Sequence, residues 1–403
     1  MSAAADILPS DVRRDERKAM GVACGAHALH DGYTDLIYVM LPIWQAEFGL
    51  SYAAIGALRG AFAGTMAGFQ IPAGLLSERL GVPLVLASGT ALVGLGYCLA
   101  PFVESYTALI AMLLIAGLGA STQHPLASAL VARAFSGSRS LSALGTYNFA
   151  GDLGKMALPA AGALLVVVLP WRVSLALLGT IGLVAAIAIL LTTPRYAGDV
   201  VKSADGQPDK AQAGPAGGGF PVLLSIGMID SATRMGFLTF LPFLLTAKGA
   251  SLPTVGLALT LVFVGGAAGK LVCAWIGARI GVVATVWLTE GFTALGILLL
   301  LPLPLELGLV LLPLIGVALN GTSSVLYGSV PMLVTPESRT RAFSIFYTGT
   351  IGSGALAPIL YGFAGDALGV PLALGLVSGI VLLTLPLVLA IRGRLAQAAA
   401  AGP

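Results

Sequence analysis

The sequence predicts an all-α membrane protein of twelve transmembrane helices, arranged as two six-helix bundles related by pseudo-symmetry. Three observations indicate this fold class. First, 57% of the 403 residues are hydrophobic and 10% are charged, with a mean hydropathy of +0.95, whereas soluble domains carry roughly 25% charged residues. Second, apolar stretches that match the about 20 residues of a spanning helix recur along the chain. Third, the second half repeats the first.

The candidate spans are apolar stretches bounded by charged residues and by Gly and Pro turns. Each is long enough to cross the hydrocarbon core of a bilayer as a helix. In chain order they are 20–47, 52–78, 82–102, 105–133, 139–168, 171–193, 220–247, 252–278, 282–302, 306–334, 339–367 and 370–391.

A polar segment divides these spans into two groups of six. Residues 194–219 are rich in Gly and Pro and poor in aromatic residues, which is typical of a flexible linker. The predicted organisation is a cytoplasmic N-terminal segment, a first bundle, a cytoplasmic linker, a second bundle and a cytoplasmic tail, at 1–19, 20–193, 194–219, 220–393 and 394–403.

Basic residues predict the orientation. If the N-terminus is cytoplasmic, the loops on that side hold most of the Lys and Arg residues, and the opposite loops hold Arg172 and Lys248. Because cytoplasmic loops are enriched in Lys and Arg, both termini are expected in the cytoplasm. We expect a monomer that crosses the inner (plasma) membrane many times, with the lipid bilayer as its surroundings.

The two halves are related by a constant offset of 200 residues. So many identities at one offset indicate a duplicated unit, and two parallel six-helix units predict bundles that rock about a site at the bilayer midplane. The aligned pairs are Leu41-Pro42 and Leu241-Pro242, Ser51 and Ser251, Gly56 and Gly256, Arg79 and Arg279, Gly81 and Gly281, Arg139 and Arg339, and Gly162 and Gly362.

The turn after the second span carries a family motif. GLLSERLG at Gly74–Gly81 resembles the GxLaDRxGrr signature of the major facilitator superfamily, and AWIGARIG at Ala274–Gly281 is similar to its degenerate copy. In that family the acid and the arginine latch the cytoplasmic gate. The resemblance therefore implies that Glu78, Arg79 and Arg279 are gate residues.

A narrower resemblance covers mostly the first five spans. HDGYTDLIYVMLPIWQAEFGLSYAAIG, GLGASTQHP at 117–125 and SRSLSALGTYNFAGDLG at 138–154 resemble the fosmidomycin-resistance group of proton-driven efflux carriers. The resemblance implies efflux of a drug or other small compound by proton antiport. It also implies that the protein is not an enzyme and uses the proton gradient instead of a cofactor.

The first span contains the candidate proton-coupling residues. Asp31 and Asp35 are four residues apart and lie on one helix face, where two carboxylates in a low dielectric cannot both ionise cheaply. At least one is therefore expected to bind a proton. His27 shares their face, and His30 points about a third of a turn away but matches the resembled group. Alternatively, one aspartate pairs with a basic residue on a neighbouring helix.

The fifth span places Asn148, Asp152 and Lys155 on one face. A lysine at this depth must face protein or water. We expect Lys155 and Asn148 to contact an anionic substrate, and Asp152 to take part in proton coupling by recapturing the lysine charge. The alternative is that Asp152 and Lys155 simply neutralise each other.

The seventh span contains Asp230 and Arg234, four residues apart. Arg234, if free, can bind a carboxylate in two-point fashion; a structural pair with Asp230 is the alternative. Further candidate substrate contacts are Tyr38, His124 and Asn320. We also expect Lys270 to pair with Glu290, and Arg59 to extend toward the membrane surface.

Absent motifs narrow the function. The sequence contains no GxxxxGK[ST] loop that would indicate ATP as the energy source, no hydrolase triad and no nucleic-acid signature. The predicted function is a proton-coupled secondary transporter that works by alternating access. Its expected partners are protons and a small, anionic substrate, and export is the direction that the resemblance implies.

Three alternatives stay open at this point. The first is a proton-coupled importer of a small anionic metabolite, and the second is a sensor built on a carrier fold. The third is a transition-metal carrier, because thiol, imidazole and carboxylate ligands share one stripe, although buried Arg234 and Lys155 would repel cations. The residues of that stripe are Cys24, His27, Asp31 and Asp35.

Overall fold

The structure is a computed structural model that describes residues 10–135, 138–194, 219–335 and 338–401. Within these residues the regular structure is helical and contains no strand. The predicted linker lies outside them apart from its two ends. The helices are α1 (Ser10–Phe48), α2 (Tyr52–Leu80), α3 (Val82–Cys98), α4 (Tyr106–Ala120), α5 (Gln123–Ala134), α6 (Ser138–Val168), α7 (Trp171–Thr192), α8 (Phe220–Ala247), α9 (Leu252–Leu300), α10 (Leu305–Ser329), α11 (Arg339–Leu368), α12 (Val370–Val381), α13 (Thr384–Ala390) and α14 (Arg392–Ala401).

The predicted spans coincide with these helices. Helices α4 and α5 form the fourth span, α12 and α13 form the twelfth, and α9 covers the eighth and ninth with a break at Gly281. Eight of the described helices are long and apolar enough to span a membrane. Helices α1, α2 and α8 are not among them, and each contains ionisable residues in its interior. The all-helical membrane fold is confirmed, and the count of twelve crossings stays a prediction.

The duplication is visible in the backbone. Ser51 and Ser251 are N-caps with nearly identical dihedral angles, φ −69° and ψ 161° against φ −72° and ψ 162°, and each side chain accepts the same local hydrogen bond. Gly81 and Gly281 both adopt left-handed φ, at 84° and 81°. Only glycine takes this conformation without steric cost, so the same residue ends the second helix of each repeat.

The two bundles meet at one end of the molecule. We call the end where α1 stops and α2 starts the outer end, predicted to be extracellular, and the end with the Gly81 and Gly281 turns the inner end. At the outer end the backbone N–H groups of Tyr52 and Ala53 donate to the Asp366 carboxylate of α11, at 2.6 and 3.0 Å. A carboxylate is favourable at a helix N-terminus. Asp366 thus caps α2 across the bundle interface.

Close backbone packing extends this contact. A side chain at Gly56 would overlap the backbone of Pro358 in α11. On the pseudo-symmetric side, a side chain at Gly256 of α9 would overlap Ala163 of α6. Glycine in both repeats therefore lets the bundles touch at the outer end.

The distribution of apolar cores shows that the inner end is different. The largest buried cluster takes residues from both bundles, for example Tyr38 and Phe240. The two clusters toward the inner end each belong to one bundle, around Leu130 in the first and Phe346 in the second. The described residues therefore form an outer end that is sealed by a shared core and an inner end where the bundles have separate cores.

We predict that Gly56→Val opens the outer end. Overpacking of a tight contact costs about 1–3 kcal/mol, and each 1.4 kcal/mol changes an equilibrium tenfold. Distances between spin labels at exposed Ala46 and Ala367 should shift toward longer values. Gly64→Val is the matched control, because the space beside Gly64 is open. Equal distance distributions in the two variants would show that this packing does not hold the outer end closed.

Candidate substrate cavity

A cavity of about 400 Å³ lies between the bundles. Helices α1, α2, α5, α6, α9 and α11 contribute to its wall. Six of the predicted site residues line it, namely His27, Asp31, His124, Asn148, Asp152 and Lys155. The other lining residues are Met66, Gln70, Ser128, Tyr147, Lys270, Tyr347 and Ile351.

Glycines bring α1 and α6 close enough to form the site. A Cβ atom at Gly151 would lie 2.6 Å from Nε2 of His27, and one at Gly154 would overlap the carbonyl of Ala28. On the α1 side, a Cβ atom at Gly32 would lie 2.8 Å from the Gly154 carbonyl oxygen. This close approach sets the polar face of α6 directly against that of α1.

Asp31 is the centre of the polar network on that face. Its carboxylate lies 3.3 Å from Nζ of Lys155, 3.2 Å from Nε2 of His27 and 3.6 Å from Nε2 of His124. Asp31 therefore fits the alternative that the sequence left open, in which one aspartate of α1 pairs with a basic residue of a neighbouring helix. Asp31 is also surrounded by the two histidines of the cavity.

The tautomer of His27 follows from its other nitrogen. Nδ1 lies 2.9 Å from the backbone carbonyl of Tyr147, and a carbonyl can only accept a hydrogen bond. Nδ1 therefore carries a hydrogen. Nε2 can donate to the Asp31 carboxylate only when the imidazole carries a second proton, so a hydrogen bond between His27 and Asp31 requires one proton more than neutral His27 and ionised Asp31 supply.

A second ion pair crosses the bundle interface. Nζ of Lys270, on α9, lies 2.6 and 2.8 Å from the two oxygens of Asp152, on α6. The expectation that Lys270 pairs with Glu290 is therefore wrong, because Asp152 faces Lys270 across the cavity. Asp152 and Lys155 make no direct ion pair, since Lys155 contacts Asp31. Each cavity lysine is held by one aspartate.

Asp35 lies one helical turn beyond Asp31, toward the outer end. It is 6% exposed, and among the described residues no basic nitrogen lies within 4.0 Å of it. A buried carboxylate without a counter-ion is costly. Of the three predicted proton-coupling aspartates, Asp35 is the one that makes no ion pair within the described residues.

Arg59 lies in the protein interior near the outer end, and the prediction that it extends toward the membrane surface is wrong. It is 3% exposed instead of reaching the membrane surface, and its Nε donates to the Tyr38 hydroxyl at 3.1 Å. That hydroxyl lies 3.4 Å from the sulfur of Met235 in the other bundle. Predicted site residue Tyr38 is therefore part of the outer seal. The sequence did contain a signal for this burial, because Arg59 is a cation within an apolar span and the preceding span carries two aspartates.

Other predicted residues lie away from the cavity wall. His30 contacts the hydroxyl of Thr90 in α3 at 2.9 Å. Nδ2 of Asn320 donates to the Gly316 carbonyl of its own helix. Arg234 lies 3.5 Å from Asp230, which is the structural pairing that the sequence left open.

The predicted gate residues lie near the inner end. Arg79 is exposed, and Glu78 is partly buried. The guanidinium of Arg279 stacks over Trp275, 4.1 Å from the ring centroid. Their role in a gate stays a prediction.

The predicted metal ligands are only partly brought together. Donor atoms of His27, Asp31 and His124 lie within 4.8 Å of one another. Cys24 instead contacts the sulfur of Met20 at 3.4 Å, and neither it nor Asp35 belongs to that group.

A family model described as Major Facilitator Superfamily matches residues 23–221 and 223–401. The Probable L-galactonate transporter of Escherichia coli (strain K12) is 26% identical over 61% of this chain and 56% of that protein. The Fosmidomycin resistance protein of the same strain is 27% identical over 36% of each chain. The Putative multidrug resistance protein MdtD of Yersinia enterocolitica is 26% identical over 40% of this chain and 35% of its own length. These matches thus span between about a third and just over half of the relatives.

Solved structures show the same fold. A bacterial homolog of the human lysosomal transporter Spinster, in an inward-facing and unoccupied conformation, has a TM-score of 0.78 at 15% identity, covering 95% of this chain and 98% of its own. A variant of the nucleoside transporter NupG has a TM-score of 0.76 at 14% identity, covering 93% and 99%.

We predict energetic coupling between Asp152 and Lys270. Asp152→Asn and Lys270→Gln should each lower the unfolding temperature in detergent, because each leaves one charge without its partner. The double variant should lose less than the sum, since contacting charges show interaction energies of about 0.5–3 kcal/mol. Strictly additive losses would mean that this pair does not join the bundles.

Proposed function

The chain belongs to the major facilitator superfamily, and on that premise we propose that it is a proton-coupled secondary transporter of a small anionic compound. As a member of a transporter family it is not an enzyme and needs no cofactor. Its apolar helices cross a membrane many times. We place it in the inner membrane with both termini cytoplasmic, on the basis of its basic loops.

The observation that carries this proposal is the pair of lysines in one cavity. Lys155 and Lys270 face the same space, and each is neutralised by one aspartate, Asp31 or Asp152. A small anion that enters the cavity offers the lysines an alternative partner. Because both lysine side chains are about two-thirds buried, a charge-assisted contact with the anion is stronger here than in bulk water.

Protons adjust the strength of that contact. When an aspartate binds a proton, its lysine loses its counter-ion and becomes free for the anion. When the proton leaves, the carboxylate recaptures the lysine and the anion is released. Unpaired Asp35, close behind Asp31, supplies a second carboxylate to share the proton, so we assign the coupling to Asp31 and Asp35 with His27 as the exchange group on the cavity side.

The sign of this coupling bears on direction. In this arrangement a proton and an anion favour each other's binding, which is the behaviour of a symporter and supports import of an anionic metabolite. Export by proton antiport is the second candidate. It is supported by the resemblance to proton-driven efflux carriers and by relatives named for fosmidomycin and multidrug resistance. Antiport requires that substrate binding expel the proton.

A transition-metal carrier is the third candidate, and one observation favours it. His27, Asp31 and His124 form a set of two imidazoles and one carboxylate that suits a divalent transition metal. Lys155, at 3.3 Å from Asp31, opposes it because an ammonium group repels the ion at the same carboxylate. We therefore rank this candidate below an anion carrier.

We predict that anion binding moves protons through Asp35. Purified protein in weakly buffered detergent is mixed with L-galactonate, fosmidomycin or Zn²⁺, and the pH of the solution is recorded. Wild type should show a pH change with an anion, and Asp35→Asn should reduce it by at least about half, because one of the two coupling acids can no longer titrate. Asp15→Asn, on the same helix outside the cavity, is the matched control and should behave as wild type.

The direction of the pH change separates the candidates. Proton uptake with the anion supports symport, and proton release supports antiport and export. A response to Zn²⁺ alone, lost in His124→Gln, would establish the metal carrier instead. If an anion binds without any pH change, proton coupling is wrong.

A further inference from the structure

A buried polar cluster lies in the second bundle, outside the cavity already described. It is formed where α8 meets the second part of α9 and where α10 covers both. Asp230 is 4% exposed and Glu290 is 1% exposed, and the two carboxyl groups are close enough to interact with each other. The cluster has one cation, Arg234, which lies 3.5 Å from Asp230.

The charges of this cluster do not balance. Two ionised carboxylates and one guanidinium leave a net charge of −1 in a region with little water, which is expensive. Two carboxylates in contact also repel, and neither can donate a hydrogen bond to the other. One added proton removes both problems, because it neutralises the excess charge and supplies the missing donor.

Unsatisfied polar atoms are concentrated here. Eight buried side-chain nitrogen or oxygen atoms among the described residues have no hydrogen-bond partner. Four of the eight are on the facing stretches of α8 and α9, including Oε1 of Glu290 and Nε of Arg234. Buried polar atoms are normally satisfied. An added proton on the acid pair can serve Oε1 of Glu290, whereas Nε of Arg234 is itself a donor and needs an acceptor.

The first repeat offers an internal control. Asp230 and Glu290 are the 200-residue counterparts of His30 and Thr90. In the first bundle Nε2 of His30 lies 2.9 Å from the Thr90 hydroxyl, which itself donates to a backbone carbonyl, so the imidazole supplies the donor. The same interhelical position in the second bundle has two acids. A hydrogen bond there requires a proton from solution.

We propose that Asp230 and Glu290 hold one proton between them and form a second proton-binding site, separate from the acids of the first bundle. The site extends the proposed function but does not depend on Asp31 or Asp35. It gives Arg234 a conditional role. When the acid pair holds its proton, only one ionised carboxylate remains to bind Arg234. The guanidinium is then easier to release toward a substrate anion. When the proton leaves, two carboxylates hold it.

The polar groups that interact with the pair come from α8, α9 and α10. From α8 it is faced by Arg234. From α9 the nearby titratable group is Cys273, whose interaction with Glu290 is electrostatic. From α10, Thr322 contacts Glu290 and also donates to the Thr289 hydroxyl at 2.7 Å, and Tyr327 interacts with Arg234. None of these neighbours other than Arg234 carries a positive charge.

The proton should be occluded in the present conformation. Neither Asp230, Glu290 nor Arg234 lines the cavity that opens between the bundles. Only the Arg234 side chain, at 18% exposure, approaches solvent. Exchange with solution therefore requires movement of the second bundle, whereas Asp31 is in contact with the cavity already.

Infrared difference spectroscopy tests the site without a substrate. A protonated carboxyl group has a carbonyl stretch that an ionised one lacks. In an Asp35→Asn background, which removes the signal of that acid, a protonated-carboxyl band should be present at neutral pH. It should be lost, or reduced by the equivalent of one carboxyl, in Glu290→Gln and in Asp230→Asn. Glu306→Gln, at an exposed position of α10, should leave the band unchanged.

The outcomes are distinct. Thermal unfolding in detergent confirms that each variant is folded, and the Asp230→Asn variant provides an independent measurement if Glu290→Gln does not fold. A band that survives both substitutions, or no band at all, overturns the proposal. A band that appears only when Na⁺ is withheld would show that a metal ion occupies the site and would also overturn it. If Asp35→Asn abolishes the pH change on anion binding while this band is intact, the loss concerns the proton coupling of the first bundle. The intact band then supports the second site.

Discussion

Charge buried among membrane helices is stable only beside an opposite charge or a hydrogen-bond partner, and this requirement organises the interior of the protein. Helix α6 carries Asp152 and Lys155 one turn apart, yet the two do not pair. Lys155 contacts Asp31 of α1 at 3.3 Å, and Asp152 binds Lys270 of α9 at 2.6 Å. Helix α6 is therefore linked by one ion pair to α1 within the first bundle and by the other to α9 of the second bundle.

The sequence predicts much of the scaffold because the relevant signals are local. Apolar length and turn residues define the helices, and the repeat offset identifies Gly81 and Gly281 as equivalent ends. About half of the cavity wall is also predictable, since residues such as His27 and Asp31 share one helix face. Ion-pair partners are not predictable in this way. Lys270 binds Asp152 because of the rotation and depth of helices far apart in sequence.

The two repeats show how one scaffold carries different chemistry. Asp35 of the first bundle corresponds to Met235 of the second, and His30 corresponds to Asp230. The first bundle thus places Asp31 on the cavity wall and Asp35 one helical turn behind it. The second bundle places its acid pair in a closed interface. Pseudo-symmetry supplies equivalent positions, and the substitutions decide which of them is accessible to solvent.

The position of the Asp152–Lys270 pair relates the cavity to the outer seal. Toward the outer end the bundles meet through apolar side chains and through glycine contacts such as Gly56 against Pro358. Toward the inner end they have separate cores. The ion pair lies on the cavity wall below the region where the bundles are in contact, and the Lys270 side chain is 38% exposed. Water can therefore hydrate the lysine when the pair breaks, which lowers the cost of separation. An anion in the cavity would lower it further, so binding of the proposed anionic substrate would weaken one of the contacts that join the two bundles.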